Sequence, residues 1–173
     1  MPVPVCKRAR ARRCRTVRGI EYCGYCAAKR EKFFGWHLHL ICTPGESPVA
    51  FDLMPGRHHD LTPIHELTFG LAAGAGVYGD KGYNAAADEA TILANTRMRL
   101  IPIRRANMAL NLWTDKLALR AYRRRIETAN SQLAALGIQR LHVRTTAGLE
   151  LKLHASLRAI ACINRTPAEE NAT

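Results

Sequence analysis

The alternation of apolar and polar side chains first becomes regular at Phe33. Phe34, Trp36, Leu38 and Leu40 alternate with Gly35, His37, His39 and Ile41, the period of two expected of a half-buried strand. Thr43 to Pro48 reads as a turn, after which Val49, Phe51 and Leu53 alternate with Ala50, Asp52 and Met54. Two such runs joined by a Pro-Gly turn predict an antiparallel hairpin. Residues 55–60 form a loop, and Thr62-Pro63 predicts a helix start, with Thr as cap and Pro at the first helical position, running to about Ala72. A short apolar run at Ala75–Tyr78, a helix by composition at Ala85–Ala94 and a third apolar run at Met98–Ile103 follow. Strand, helix and strand at this spacing predict a βαβ unit with parallel strands.

The clearest helix spans Asp115 to Leu136. There Leu119, Tyr122, Ile126, Ala129, Leu133 and Leu136 recur at three- and four-residue steps, so one face is buried. A last helix, from about Ala147 to Asn164, packs Leu149, Leu153, Leu157 and Ile160 by the same rule. At 173 residues the chain suits one α/β domain with a substantial core. Its organisation reads as a basic segment at 1–32, a folded region at 33–166 and a tail at 167–173.

Charge changes this picture more than composition does. The apolar fraction of 47% and the charged fraction of 23% are ordinary, but 26 Lys and Arg against 14 Asp and Glu give a net charge of +12. Such an excess points to a polyanionic partner, nucleic acid before an anionic membrane. No apolar run reaches the roughly eighteen residues of a membrane span, and no signal peptide opens the chain. A cytoplasmic, nucleoid-associated protein without a membrane partner is the expectation. Lys7, Arg8, Arg10, Arg12, Arg13, Arg15 and Arg18 place seven cations in twelve positions, with no acid before Glu21. They read as a solvated loop or as a phosphate-tracking arm, and the preponderance of Arg favours bidentate phosphate contacts.

Three groups have metal-ligand composition. Cys23 and Cys26 have the spacing of a zinc knuckle, but seven residues separate Cys6 from Cys14 where two to four are usual. Buried free thiols are the preferred reading, as six cysteines without a secretory signal fit reduced chemistry. His37 and His39 share one strand face and are read as polar side chains on its less buried side. His58, His59 and Asp60 are adjacent in a loop, where neighbours rarely all face one ion, so Asp60 is read as bracing the turn.

Asp80 stands at the end of the second apolar run, in Val77-Tyr-Gly-Asp-Lys-Gly-Tyr-Asn84. An acid at the carboxyl end of a strand, between glycines, suits an oxygen ligand for a metal or a phosphate site. The alternative is a turn residue bonded to its own backbone. Glu127 is the only acid between Asp115 and Glu150 and lies among Arg123, Arg124 and Arg125. It reads as an i,i+4 partner of Arg123 or as a metal ligand beside a DNA phosphate.

Hairpin, helix, strand with Asp, helix, strand and long helix with Glu is the order of an RNase H-like fold. Phe34-Gly-Trp-His-Leu-His-Leu40, the Pro55-Gly-Arg-His-His-Asp60 loop, Gly79-Asp-Lys-Gly-Tyr83 and Arg125-Ile-Glu-Thr128 resemble the catalytic domain of bacterial insertion-sequence transposases of the DDE class. The resemblance covers residues 2 to about 165. It implies a retroviral-integrase-like mixed sheet flanked by helices. It also implies three carboxylates holding two Mg²⁺ (or Mn²⁺) ions for phosphoryl transfer on DNA. By position Asp80 is the second acid and Glu127 the third, both catalytic and metal-ligating. DNA contacts are expected from the seven N-terminal cations and from Lys81, Arg123 and Arg124.

The first acid of relatives lies in an Asp-Ser just before the segment resembling Met1–Cys6, so the chain is expected to be N-terminally truncated and inactive alone. The central first strand is expected to be largely missing, with weak pairing because Pro2 and Pro4 cannot donate to a ladder. Around the third acid some relatives carry Tyr-x2-Arg-x3-Glu-x6-Lys; here Arg123 and Glu127 fit, while Arg120 and Ala134 replace Tyr and Lys. Expected partners are transposon-end and target DNA, with a homodimer or a dimer with a full-length relative. The alternative is a non-catalytic nucleic-acid-binding remnant that interferes with a full-length transposase.

Overall fold

The computed structural model describes residues 1–27, 29–140 and 143–164; the tail expected at 167–173 lies outside them. Among the described residues there are six strands: β1 (Pro2–Lys7), β2 (Cys23–Cys26), β3 (Glu31–Cys42), β4 (Pro48–Pro55), β5 (Gly76–Gly79) and β6 (Arg99–Pro102). The α-helices are α1 (Ile64–Thr68), α2 (Ala86–Thr96), α3 (Trp113–Ala135) and α4 (Thr146–Ile163). The strands form a four-stranded and a two-stranded sheet. The chain divides into two compact units, Met1–His58 with Ile126–Thr173, and His59–Arg125.

In the first unit β3 is the organising strand. Trp36 and His37 pair with both β1 and β4, while Phe33 and Phe34 pair with both β1 and β2. Strand β1 therefore occupies one edge of β3, and β2 and β4 share the other. The β3–β4 pairing is antiparallel, with Leu38 opposite Leu53 and Leu40 opposite Phe51, as the alternation predicts. Phe34, Trp36, Leu38 and Leu40 lie on one face by that period. Leu38 and Val3 join Leu133, Ile138, Leu149, Leu153, Leu157 and Ile160 in a buried cluster. The 149–153–157–160 stripe of α4 thus covers the apolar sheet face, each fully buried Leu or Ile contributing about 1.5–3 kcal/mol. Thr145 caps α4 by accepting from the Gly148 N–H at 3.1 Å.

Two expectations fail here for identifiable reasons. The pairing of Pro2–Lys7 is not weak: it runs antiparallel to β3 from Pro2 opposite His37 to Lys7 opposite Phe33. Met1 and Leu38 exchange both backbone hydrogen bonds, at 2.6 and 2.8 Å. Bonded and non-bonded pairs alternate in an antiparallel ladder, so Pro2 and Pro4 fall at non-bonded pairs, where the missing N–H faces away from β3. His39 is also not on an exposed face. It is buried, 5% exposed, with its ring 6.1 Å from that of His37 and nearly perpendicular to it.

In the second unit β5 and β6 are parallel, from Gly76 opposite Arg99 to Gly79 opposite Pro102, and α2 connects them, as predicted. Ile64, Ile92, Met98 and Leu100 form the buried cluster. Helix α1 is shorter than expected, ending at Thr68 instead of near Ala72. Gly70 and Gly74 beyond it adopt φ of +85° and +82°, a left-handed conformation that stops a helix. Thr62 does not cap it; Pro63 precedes the first helical residue, without a side-chain cap.

Candidate functional site

Strand β5 ends at Gly79, and Asp80 follows it, solvent-exposed. Its Oδ1 accepts from the Lys81 N–H at 2.6 Å, and its backbone carbonyl accepts from the Tyr83 N–H at 3.1 Å. Asp80 therefore caps a single 3-10 turn, Lys81–Tyr83. That bond matches the turn-residue reading, yet it engages one oxygen only; Oδ2 has no hydrogen bond among the described residues. Both roles fit the same side chain.

The turn is held from behind. The Asn84 amide donates to the Lys81 carbonyl at 3.0 Å and to the Ile103 carbonyl, just beyond β6, at 2.6 Å. Arg104 grips Glu89 of α2 through both terminal nitrogens, at 2.6 and 2.7 Å, and reaches Asn111 at 3.1 Å through Nε. The fork geometry of guanidinium on carboxylate fixes direction as well as distance. It ties the end of β6 to α2, and the hydrogen bond with Glu89 is the main cause holding the Arg104 pKa above its ordinary value. The start of α3 is fastened to the same sheet by Tyr78 against Tyr122, ring centroids 4.9 Å apart, and by Arg99 with Asp115 at 3.2 Å.

Asp60, read from sequence as bracing its own loop, instead meets the Asp80 turn. Its carboxylate fills the space that a side chain at Gly82 would take. Burial first, then the charges of Asp60 and of Asp80, push the Tyr83 hydroxyl pKa well up. Gly82 leaves the room that this close approach of Asp60 occupies. The bonds of Asn84 to Ile103 and of Arg104 to Glu89, and the approach of Asp60 to Gly82, were not identified as supports of this turn, because they span 15 to 22 positions in sequence and no helical or strand period links them.

Glu127 is exposed on α3, in the part of that helix assigned to the first compact unit, whereas Asp80 belongs to the second. The Ser131 hydroxyl donates to its backbone carbonyl at 2.8 Å. Lys81, Arg123 and Arg124 are exposed. All seven N-terminal cations are exposed as well: Lys7 ends β1, Arg8–Arg13 form a 3-10 helix, and Arg15 and Arg18 follow. Among the described residues none of the seven has an ion pair. The cysteines are free thiols, and no three of them bring their sulfurs within ligating distance among the described residues. No helix among those residues is long and apolar enough to cross a membrane.

The family model described as a transposase DDE domain matches residues 1–146. No curated protein matches the chain, and no solved structure does.

Proposed function

The chain belongs to the transposase DDE domain family, and on that premise we propose that it is an RNase H-like catalytic core for DNA transposition. The reaction is transposon-end cleavage followed by strand transfer. The observation that carries this reading is Asp80, exposed at the carboxyl end of a parallel strand with one oxygen held by Lys81 and the other open.

The donor chemistry fits the divalent ion of the family. Asp80 and Glu127 offer carboxylate oxygens, hard ligands suited to Mg²⁺ or Mn²⁺, and Asp80 Oδ2 is not committed to a hydrogen bond among the described residues. When bound, a pair of such ions supplies positive charge that stabilises the attacking and leaving oxygens of a phosphoryl transfer. The residues of this chain do the positioning. Lys81, beside Asp80, and Arg123 and Arg124, on the turn of α3 preceding Glu127, provide cations for the DNA phosphates. The N-terminal cations supply sequence-independent, salt-sensitive affinity. Residues 1–32 serve as the DNA-tracking segment and 33–166 as the catalytic region, on transposon ends and target DNA in the nucleoid.

Of the family's three acids, two have counterparts in these 173 residues, Asp80 and Glu127. The polypeptide by itself is therefore expected to hold ions weakly and to give little or no strand transfer. The seven exposed cations, none with an ion pair among the described residues, favour a second reading: a non-catalytic nucleic-acid-binding protein that interferes with an active transposase.

A fluorescence-anisotropy titration of duplex DNA at stepped salt, with a strand-transfer assay in Mg²⁺ or Mn²⁺, tests both readings. Salt-dependent binding without robust strand transfer is expected. Asp80→Asn should leave DNA affinity unchanged or raised while lowering Mn²⁺ affinity. Robust strand transfer overturns the predicted inactivity, and Mn²⁺ affinity indifferent to Asp80→Asn overturns the metal assignment.

A further inference from the structure

The first unit places two cysteines together beside its basic segment. The β1–β3 register slips between Pro4 and Cys6, so that Cys6 stands opposite Phe34 instead of Phe33. Such a bulge re-aims the side chains beyond it. The chain then makes the 3-10 helix Arg8–Arg13 and returns, with the Cys14 N–H donating to the Ala11 carbonyl at 3.1 Å. Cys6, Arg10, Arg13 and Cys14 line one cavity of about 350 Å³. In a 3-10 helix residues three apart eclipse one another, which stacks Arg10 over Arg13 on this cavity. The two thiols are neighbours. Burial first, then Cys14 through its charge and a side-chain hydrogen bond, pushes the Cys6 thiol up to about 11, while Arg10 pulls it down. Both cysteines are half-buried, open enough to meet a small reagent.

We propose that Cys6 and Cys14 are a dithiol–disulfide pair, closed reversibly by exchange with a low-molecular-weight disulfide such as glutathione disulfide. Cys14 gives up its proton to solvent and attacks one sulfur of glutathione disulfide. The glutathione S–S bond breaks, a mixed disulfide forms on Cys14, and one glutathione thiolate leaves. Cys6, held as the thiol, gives up its proton to solvent and attacks the Cys14 sulfur of that mixed disulfide, expelling the second glutathione. The protein loses two electrons and two protons, and glutathione disulfide is reduced to two thiols. The bond fastens the basic turn to the end of β1. Neither step depends on metal or DNA binding.

The test uses the full chain, native and in urea, equilibrated in glutathione buffers of stepped ratio, quenched by alkylation and mapped by peptide mass spectrometry. A single Cys6–Cys14 crosslink is expected, with an equilibrium constant roughly tenfold or more above that of the unfolded chain, because the fold raises the effective concentration of one thiol at the other. Cys6→Ser should trap Cys14 as its glutathione adduct, and neither Cys6→Ser nor Cys14→Ser should form the intramolecular crosslink. Equal crosslinking in urea, pairing scrambled with Cys23 or Cys26, or alkylation of both thiols at every ratio overturns the proposal.

Discussion

The amino group of Met1 donates to the Leu38 carbonyl at 2.6 Å, and the Leu38 N–H returns a bond to the Met1 carbonyl at 2.8 Å. This reciprocal pair sets the register of β1, because the next bonded pair must then be Val3 with Trp36. Leu38 also places its side chain, 1% exposed, at the centre of the apolar cluster under α4. Leu38→Ala is expected to destabilise the fold by about 2–5 kcal/mol, as buried Leu truncations do. A fall in the urea midpoint without a change in slope checks it.

Gly35 of β3 stands opposite Pro4 of β1. A methyl group there would stand 2.7 Å from the Val5 nitrogen and 3.0 Å from the Pro4 Cα, both backbone atoms that no rotamer can move. Gly35→Ala is expected to push β1 away and to cost about 1–3 kcal/mol. Hydrogen exchange at the Leu38 amide should quicken, while exchange in the β5–β6 pair stays as it was.

One amide ties the turn carrying Asp80 to the chain beyond β6. Asn84 alone joins the Lys81 carbonyl to the Ile103 carbonyl through its side chain. Asn84→Ala is expected to lower Mn²⁺ affinity by about tenfold, the usual effect of removing a support behind a ligand. Asn84→Asp, which cannot donate, should behave like the Ala variant. Calorimetric titration of the full chain, with the far-ultraviolet spectrum as a control for folding, checks both.

Stability at alkaline pH should report on two half-buried thiols. Cys42 is raised from 9.0 to about 11, by burial first and then by the charge of Glu46, and Cys6 is raised over the same interval. Between pH 9 and 11 the unfolded chain releases thiol protons that the folded chain keeps. The folded state then binds more protons, so unfolding free energy falls as pH rises. The contribution is complete below pH 9 and is lost as pH passes 11. Cys42→Ala is expected to flatten its share of that fall in urea midpoints across the window.

Periodicity made the β3–β4 hairpin, the parallel β5–β6 pair and the stripes of α3 and α4 legible, because each element buries one face and so repeats at its own period. Asp80 could be placed at a strand end by the same logic. Helix α1 was over-extended because two left-handed glycines outweigh the propensity around Leu71 and Ala72. The prolines of β1 were misjudged because their effect depends on which ladder positions they occupy, and the register is a tertiary property. His39 alternates with apolar neighbours as an exposed residue would, yet it is covered. Asp60 against Gly82 is a contact between loops, and nothing in local pattern encodes it.

The placement of Pro2 and Pro4 has a second effect, on the side of β1 turned away from β3. Among the described residues β1 pairs with β3 alone, so that side is a sheet edge of its unit. Residues at non-bonded pairs direct their backbone groups outward, and at Pro2 and Pro4 those groups are carbonyls without an N–H. A foreign strand approaching this edge finds acceptors but no donors over that length. It cannot complete a ladder there, so the two prolines disfavour strand addition at this edge of the unit.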